Sequence, residues 1–106
     1  MTQEQKDKCK KIYEHYGAEK QRRQLVEECA ELIQAITKLE RAAEGKSKFN
    51  LTDAKLNLIE EIADVEIMLS QIQGGVFKDG ELRKNRVIDT KLDRQLERIA
   101  REVAAV

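Results

Sequence analysis

The chain has 106 residues, with 20 basic and 20 acidic side chains, a formal net charge of zero, no proline and no tryptophan. Such a length suits one small domain whose modest core gains from oligomerisation, and a proline-free excess of Ala, Glu, Lys, Leu and Arg belongs to helical bundles. A neutral chain has no global field to draw it to nucleic acid or an anionic membrane, and no apolar run here approaches membrane-spanning length.

The N-terminus, Met1-Thr-Gln-Glu-Gln-Lys-Asp7, lacks the apolar segment of a secretory signal, so the protein is expected to be cytoplasmic. A first helix is predicted over Gln3 to Tyr16, with Ile12 and Tyr13 as its main apolar residues and Gly17 as its end. It is weakly amphipathic and reads as a docking arm. His15, the only histidine, lies on this helix and is incidental to the motifs below. The two cysteines, Cys9 and Cys29, form no CxxC or Cys/His cluster, so zinc of the usual kind is not expected. Cys29 falls on an apolar face as a small core residue, and nothing asks for a disulfide.

A second helix is predicted from about Glu19 to Ala43. Leu25, Cys29, Leu32, Ile36 and Leu39 recur at spacings of four and three and make one apolar stripe, widened by Val26, Ala30 and Ile33. Gly45 to Leu51 is a loop, after which Asn50 or Thr52 caps a third helix, with Asp53 near its positive end. This third helix runs from about Asp53 to Gln73 and is expected to stop at Gly74-Gly75. Asp79-Gly80 suggests a turn. A fourth helix begins between Asp79 and Asp89 and carries a stripe of Val87 or Ile88, Leu92, Leu96, Ile99 and Val103 almost to the end. The fold class is therefore all-α, an antiparallel bundle of about four helices in a single domain, completed by oligomerisation.

Two short acidic repeats stand out, Glu28-Cys-Ala-Glu31 and Glu61-Ile-Ala-Asp64. Residues three apart are neighbours on a helix surface, so each repeat points two carboxylates the same way. Glu28 and Glu31 flank the apolar stripe of the second helix, whereas Glu27 points to solvent. In the third helix, Leu56, Leu58, Ile59, Ile62, Ala63, Val65, Ile67, Met68, Leu69 and Ile72 cover most of the circumference, which predicts burial. Yet Glu60, Glu61 and Asp64 share one arc of it. Charged residues on helices usually form a solvated face. Two repeats embedded in apolar sequence point instead to four acids gathered around a cation, because bare carboxylates are costly to bury. An all-carboxylate oxygen set suits Mg²⁺, with Mn²⁺ as a possible substitute, and Mg²⁺ is commonly completed by substrate phosphates.

Leu25-Val-Glu-Glu-Cys-Ala-Glu-Leu-Ile-Gln-Ala-Ile36 and Leu58-Ile-Glu-Glu-Ile-Ala-Asp-Val-Glu-Ile-Met-Leu69 resemble the ExxE…ExxD signature of the MazG-like all-α nucleoside triphosphate pyrophosphohydrolases. The resemblance continues into Lys91-Leu-Asp-Arg-Gln-Leu-Glu-Arg98. It implies a Mg²⁺-dependent hydrolase that cuts between the α and β phosphates and releases a monophosphate and pyrophosphate. It implies that Glu28, Glu31, Glu61 and Asp64 hold metal, and that Lys91 and Arg98 hold phosphates. Gln95 stands where relatives often carry Asn and is a further substrate-binding candidate. Glu31 or Glu61 would serve as the catalytic carboxylate that orients or deprotonates water. The implied partners are a nucleoside triphosphate and further copies of the chain, as homodimer or homotetramer. Phe49, in the loop between the acidic helices, is either a cover for a base or a loop anchor. The alternatives are a non-catalytic helical interaction module, or a related pyrophosphohydrolase acting on another phosphorylated nucleotide.

Overall fold

The computed structural model describes residues 1–76 and 80–105. Among these every regular element is a helix, with α1 at Gln3–Tyr16, α2 at Ala18–Ala43, α3 at Leu51–Val76 and α4 at Gly80–Ala104. No helix among the described residues is long and apolar enough to cross a membrane. Phe77 and Asp79, and with Asp79 the turn expected before the last helix, lie outside the described residues. The chain divides into two compact units, Met1–Gly75 and Val76–Val106.

In the first unit the helix ends follow from local chemistry. Thr2 caps α1 through a reciprocal pair of bonds: the Gln5 amide donates to Thr2 Oγ1 at 3.1 Å, and the Thr2 amide donates to Gln5 Oε1 at 2.7 Å. Gly17, with φ +89°, reverses the chain between α1 and α2 in a conformation that a side chain would strain. Asn50, not Thr52, caps α3 by accepting the Asp53 amide on Oδ1 at 2.8 Å.

The three helices run up, down and up. Gln21 near the start of α2 meets Gln71 near the end of α3, so these two are antiparallel. Cys9 of α1 lies against the Ile67 carbonyl, with Sγ to O at 3.9 Å, and Tyr13 lies against Gly75 farther along, so α1 and α3 run the same way. The first helix is thus a packed element, and Cys9 is its buried residue. Helix α3 does not stop at Gly74-Gly75 but continues to Val76. A Cβ at Gly75 would overlap the Tyr13 ring, so the glycine admits α1 rather than ending α3.

The contact between the helices is lined by small residues, a methionine, a valine and two amides. Ala35, Ala54, Val65, Met68, Gln21 and Gln71 are buried, and Leu25, Cys29, Leu32 and Leu39 are half-buried beside them. Val26 and Ile33 do not widen this stripe; at 70% and 65% exposure they lie on the opposite side of α2. Nor is α3 covered all round, since Leu56 and Ile59 are 56% and 61% exposed. In the second unit, α4 carries its expected stripe with Ile88, Leu92, Leu96, Ile99 and Val103 all exposed.

Gln21 Nε2 donates to Gln71 Oε1 at 2.7 Å inside the α2–α3 contact, both side chains being buried. The Gln71 amide also points at Met68 Sδ, at 3.9 Å. A buried amide left unpaired costs about 1–3 kcal/mol, whereas replacing both partners with apolar groups is far cheaper. Gln71→Leu alone should therefore lower the unfolding free energy in urea by about 1–3 kcal/mol. Gln21→Leu with Gln71→Leu should recover most of that loss, and additive losses would show that the two amides are not coupled.

Candidate metal centre

The antiparallel packing of α2 on α3 brings the two acidic repeats to the same level. Glu28 and Glu31 come from α2, and Glu61 and Asp64 from α3. One carboxylate oxygen from each lies within 4.8 Å of all the others. Glu61 falls on the same arc of α3 as the buried Ala54, Val65 and Met68, so the cluster lies at the edge of the packed face. Glu28 and Glu61 are half-buried, and Glu31 opens to solvent. Glu28 Oε1 accepts from Gln24 Nε2 at 2.9 Å. Glu28 Oε2 and Glu61 Oε2 are shielded from water and have no hydrogen-bond partner.

The electrostatics carry the mark of this crowding. The Glu31 carboxyl is held above its ordinary value of 4.5, first by the charge of Glu28, then by a hydrogen bond with Glu28, and then by the charge of Glu61, burial and a hydrogen bond with Glu61. Asp64 is raised above 3.8, first by burial and then by the charges of Glu28 and Glu60. These are the two ways an anion is disfavoured, low dielectric and like charge. The ion pairs Lys8–Glu4, Arg23–Glu19 and Lys46–Glu44 are all exposed and lie outside the cluster.

The donor set fits a hard divalent cation. Every donor is a carboxylate oxygen, the preference of Mg²⁺ and Mn²⁺. One oxygen from each of the four carboxylates would be available to such an ion. A cation would also give both partnerless oxygens a partner.

The other expected site residues fall as follows. Glu27 is exposed. Lys91, Gln95 and Arg98 lie on α4, in the second unit, spaced four and three apart on one exposed face beside the apolar stripe. Phe49 sits in the loop after α2 with the Lys38 ammonium 5.4 Å from its ring centre, which matches the loop-anchor reading. Lys38 is ten residues beyond Glu28 on α2, roughly 15 Å along the axis. His15 packs edge-on against Tyr16, with ring centres 4.7 Å apart. Gln24 is the residue that sequence reading passes over; its signal is the four-residue spacing to Glu28.

No protein-family model, no curated protein and no solved structure matches the chain.

The raised carboxyls set a pH dependence. Glu31 and Asp64 bind protons more tightly in the folded chain than in the unfolded one. Their burden is therefore absent below their ordinary values of 4.5 and 3.8 and is fully present above the raised folded ones. With chelator present, the melting temperature should rise as pH falls from neutrality toward about 4.5. Glu61→Gln, which removes one of the charges acting on Glu31, should give a higher melting temperature at neutral pH and a shallower rise on acidification. Thermal melts across pH check both; a melting temperature that falls in parallel for both proteins would contradict the coupling.

Proposed function

We propose that this chain is a Mg²⁺-dependent nucleoside triphosphate pyrophosphohydrolase, with Mn²⁺ able to replace Mg²⁺, that hydrolyses the bond between the α and β phosphates. The observation that carries this reading is the set of four carboxylate oxygens within 4.8 Å of one another, two of whose carboxylates have a buried oxygen without a partner. The likeness of the two repeats to the ExxE…ExxD signature supplies the reaction.

Glu28, Glu31, Glu61 and Asp64 would hold the metal. When bound, Mg²⁺ supplies charge neutralisation of the triphosphate and stabilises the charge that develops on the phosphoryl oxygens. Glu31 faces solvent, where water arrives. Glu31 accordingly takes the proton of the attacking water, with Glu61 beside it to orient that water. The water oxygen forms a bond to the α phosphorus as the bond to the bridging oxygen breaks, and pyrophosphate leaves with that electron pair. Lys91 and Arg98 contribute phosphate contacts, Lys91 as a point charge and Arg98 as a planar fork. Gln95, between them on the same face, offers an amide to the nucleotide. No covalent enzyme intermediate is required.

The assembly we propose is a homodimer or homotetramer. Val26 and Ile33 on α2, Leu56 and Ile59 on α3, and Leu92, Leu96 and Val103 on α4 are exposed to an extent that favours further burial. The same stripes favour the second reading, a helical interaction module without turnover. Pyrophosphate release across a panel of canonical, modified and other phosphorylated nucleotides separates the two, and also tells a triphosphate substrate from another nucleotide.

With Mg²⁺ and a substrate from that panel, Glu61→Gln and Asp64→Asn should each lower kcat by about 10²–10⁴-fold while the variants stay folded. Glu27→Gln should leave kcat within about twofold of the parent, and Lys91→Ala should raise KM or lower kcat. Turnover that survives both cluster substitutions would remove the site assignment. In light scattering, a monomer at working concentration would contradict the proposed assembly.

A further inference from the structure

We infer that Gln24 is a positioning residue that aims the Glu28 carboxylate into the cluster, an inference that rests on the metal-dependent reading above. Gln24 precedes Glu28 by one helical turn on α2 and is half-buried. Its Nε2 donates to Glu28 Oε1 at 2.9 Å. A glutamate side chain turns about three bonds, and a carboxylate with nothing to hold it samples several orientations. Here one oxygen is tied to the surface of its own helix, which fixes the plane of the group. The other, Oε2, is thereby left shielded from water, with no partner in the protein.

Repulsion opposes this arrangement. Glu28 has an oxygen within 4.8 Å of an oxygen on each of Glu31, Glu61 and Asp64, and swinging it outward would relieve that crowding. The amide holds it in place without neutralising it. A lysine at that position would cancel charge that a cation needs, and a glutamate would add a further anion. A neutral donor is the side-chain type that orients the carboxylate and leaves its charge intact. Outer hydrogen bonds of this kind commonly matter by about 10–100-fold in metal affinity.

The test uses the full chain and Mn²⁺ alone, titrated by electron paramagnetic resonance, in which the hexaaquo ion signal falls as the ion binds. Gln24→Met keeps side-chain length and helix propensity and removes the donor. Gln24→Ala, the best helix former, is a second variant with independent packing. Both should retain helical circular dichroism and a metal-free melting temperature no lower than the parent. Both should weaken Mn²⁺ binding by about tenfold or more and sharpen the split between metal-free and metal-loaded melting curves less than the parent does. A folded variant of either kind that binds Mn²⁺ within about twofold of the parent overturns the positioning role. In that case the parent's own binding, abolished by Glu61→Gln, leaves the cluster reading standing. No Mn²⁺ binding by the parent chain overturns both.

Discussion

Four carboxylates face one another across the α2–α3 contact, and any packing that brings these helices together also presses their charges together. The opposition is built into the sequence, because Glu28, Glu61 and Asp64 occupy the arcs that also carry Ala35, Ala54, Val65 and Met68. Burial of those apolar groups favours closure, and the carboxylates resist it. The rest of the first unit can be understood as what holds the helices in register against that resistance. Gln21 and Gln71 tie α2 to α3 through a buried hydrogen bond about two turns from the acids. Tyr13 over Gly75 and Cys9 against the Ile67 carbonyl add α1 as a brace along α3.

The helices and the acidic pairs were legible because they depend on short-range rules. Spacing of three and four sets which side chains are neighbours, and Gly17 and Asn50 act through their own backbone geometry and side-chain oxygen. The remainder depends on which helix meets which, and periodicity is silent there. Val26 and Ile33 belong to the apolar count of α2, yet they point away from α3. Gln21 and Gln71 look like solvated surface residues until an antiparallel partner brings one amide to the other. Gly74-Gly75 has the look of a helix stop, but glycine only weakens a helix, and the approach of Tyr13 gives it another reason to be there. In the cluster, the four ligand candidates could be read from the repeats. The support beneath Glu28 could not, because a glutamine four residues before an acid is common on any solvated helix.

The chemistry of α2 and α3 and that of α4 are complementary in kind. The first unit supplies oxygens that suit a hard cation, and α4 supplies Lys91, Gln95 and Arg98 on one face, groups that suit phosphate. Carboxylates alone would repel the anion, and basic residues alone would bind it without a place to polarise it. Under the proposed reading a pyrophosphohydrolase would use both kinds of group.

Protons and cations compete for the same oxygens in this cluster. In the metal-free chain the charges of Glu28 and Glu61 hold the Glu31 carboxyl above its ordinary value, so a proton there is the available counter-charge. A divalent ion at the proposed site would compete with that proton. Affinity for the ion would therefore weaken with acid, while the metal-free fold would gain stability. The two effects have one origin, the stress of gathering anions on a packed face. A cation bound there would relieve that stress at neutral pH and would add to stability according to how far its concentration exceeds its dissociation constant. A fold that only needed to be stable would place leucines where Glu28 and Glu61 stand. Keeping carboxylates there makes closure of α2 on α3 depend on what sits between them, and this dependence is what links the packing of the unit to its proposed chemistry.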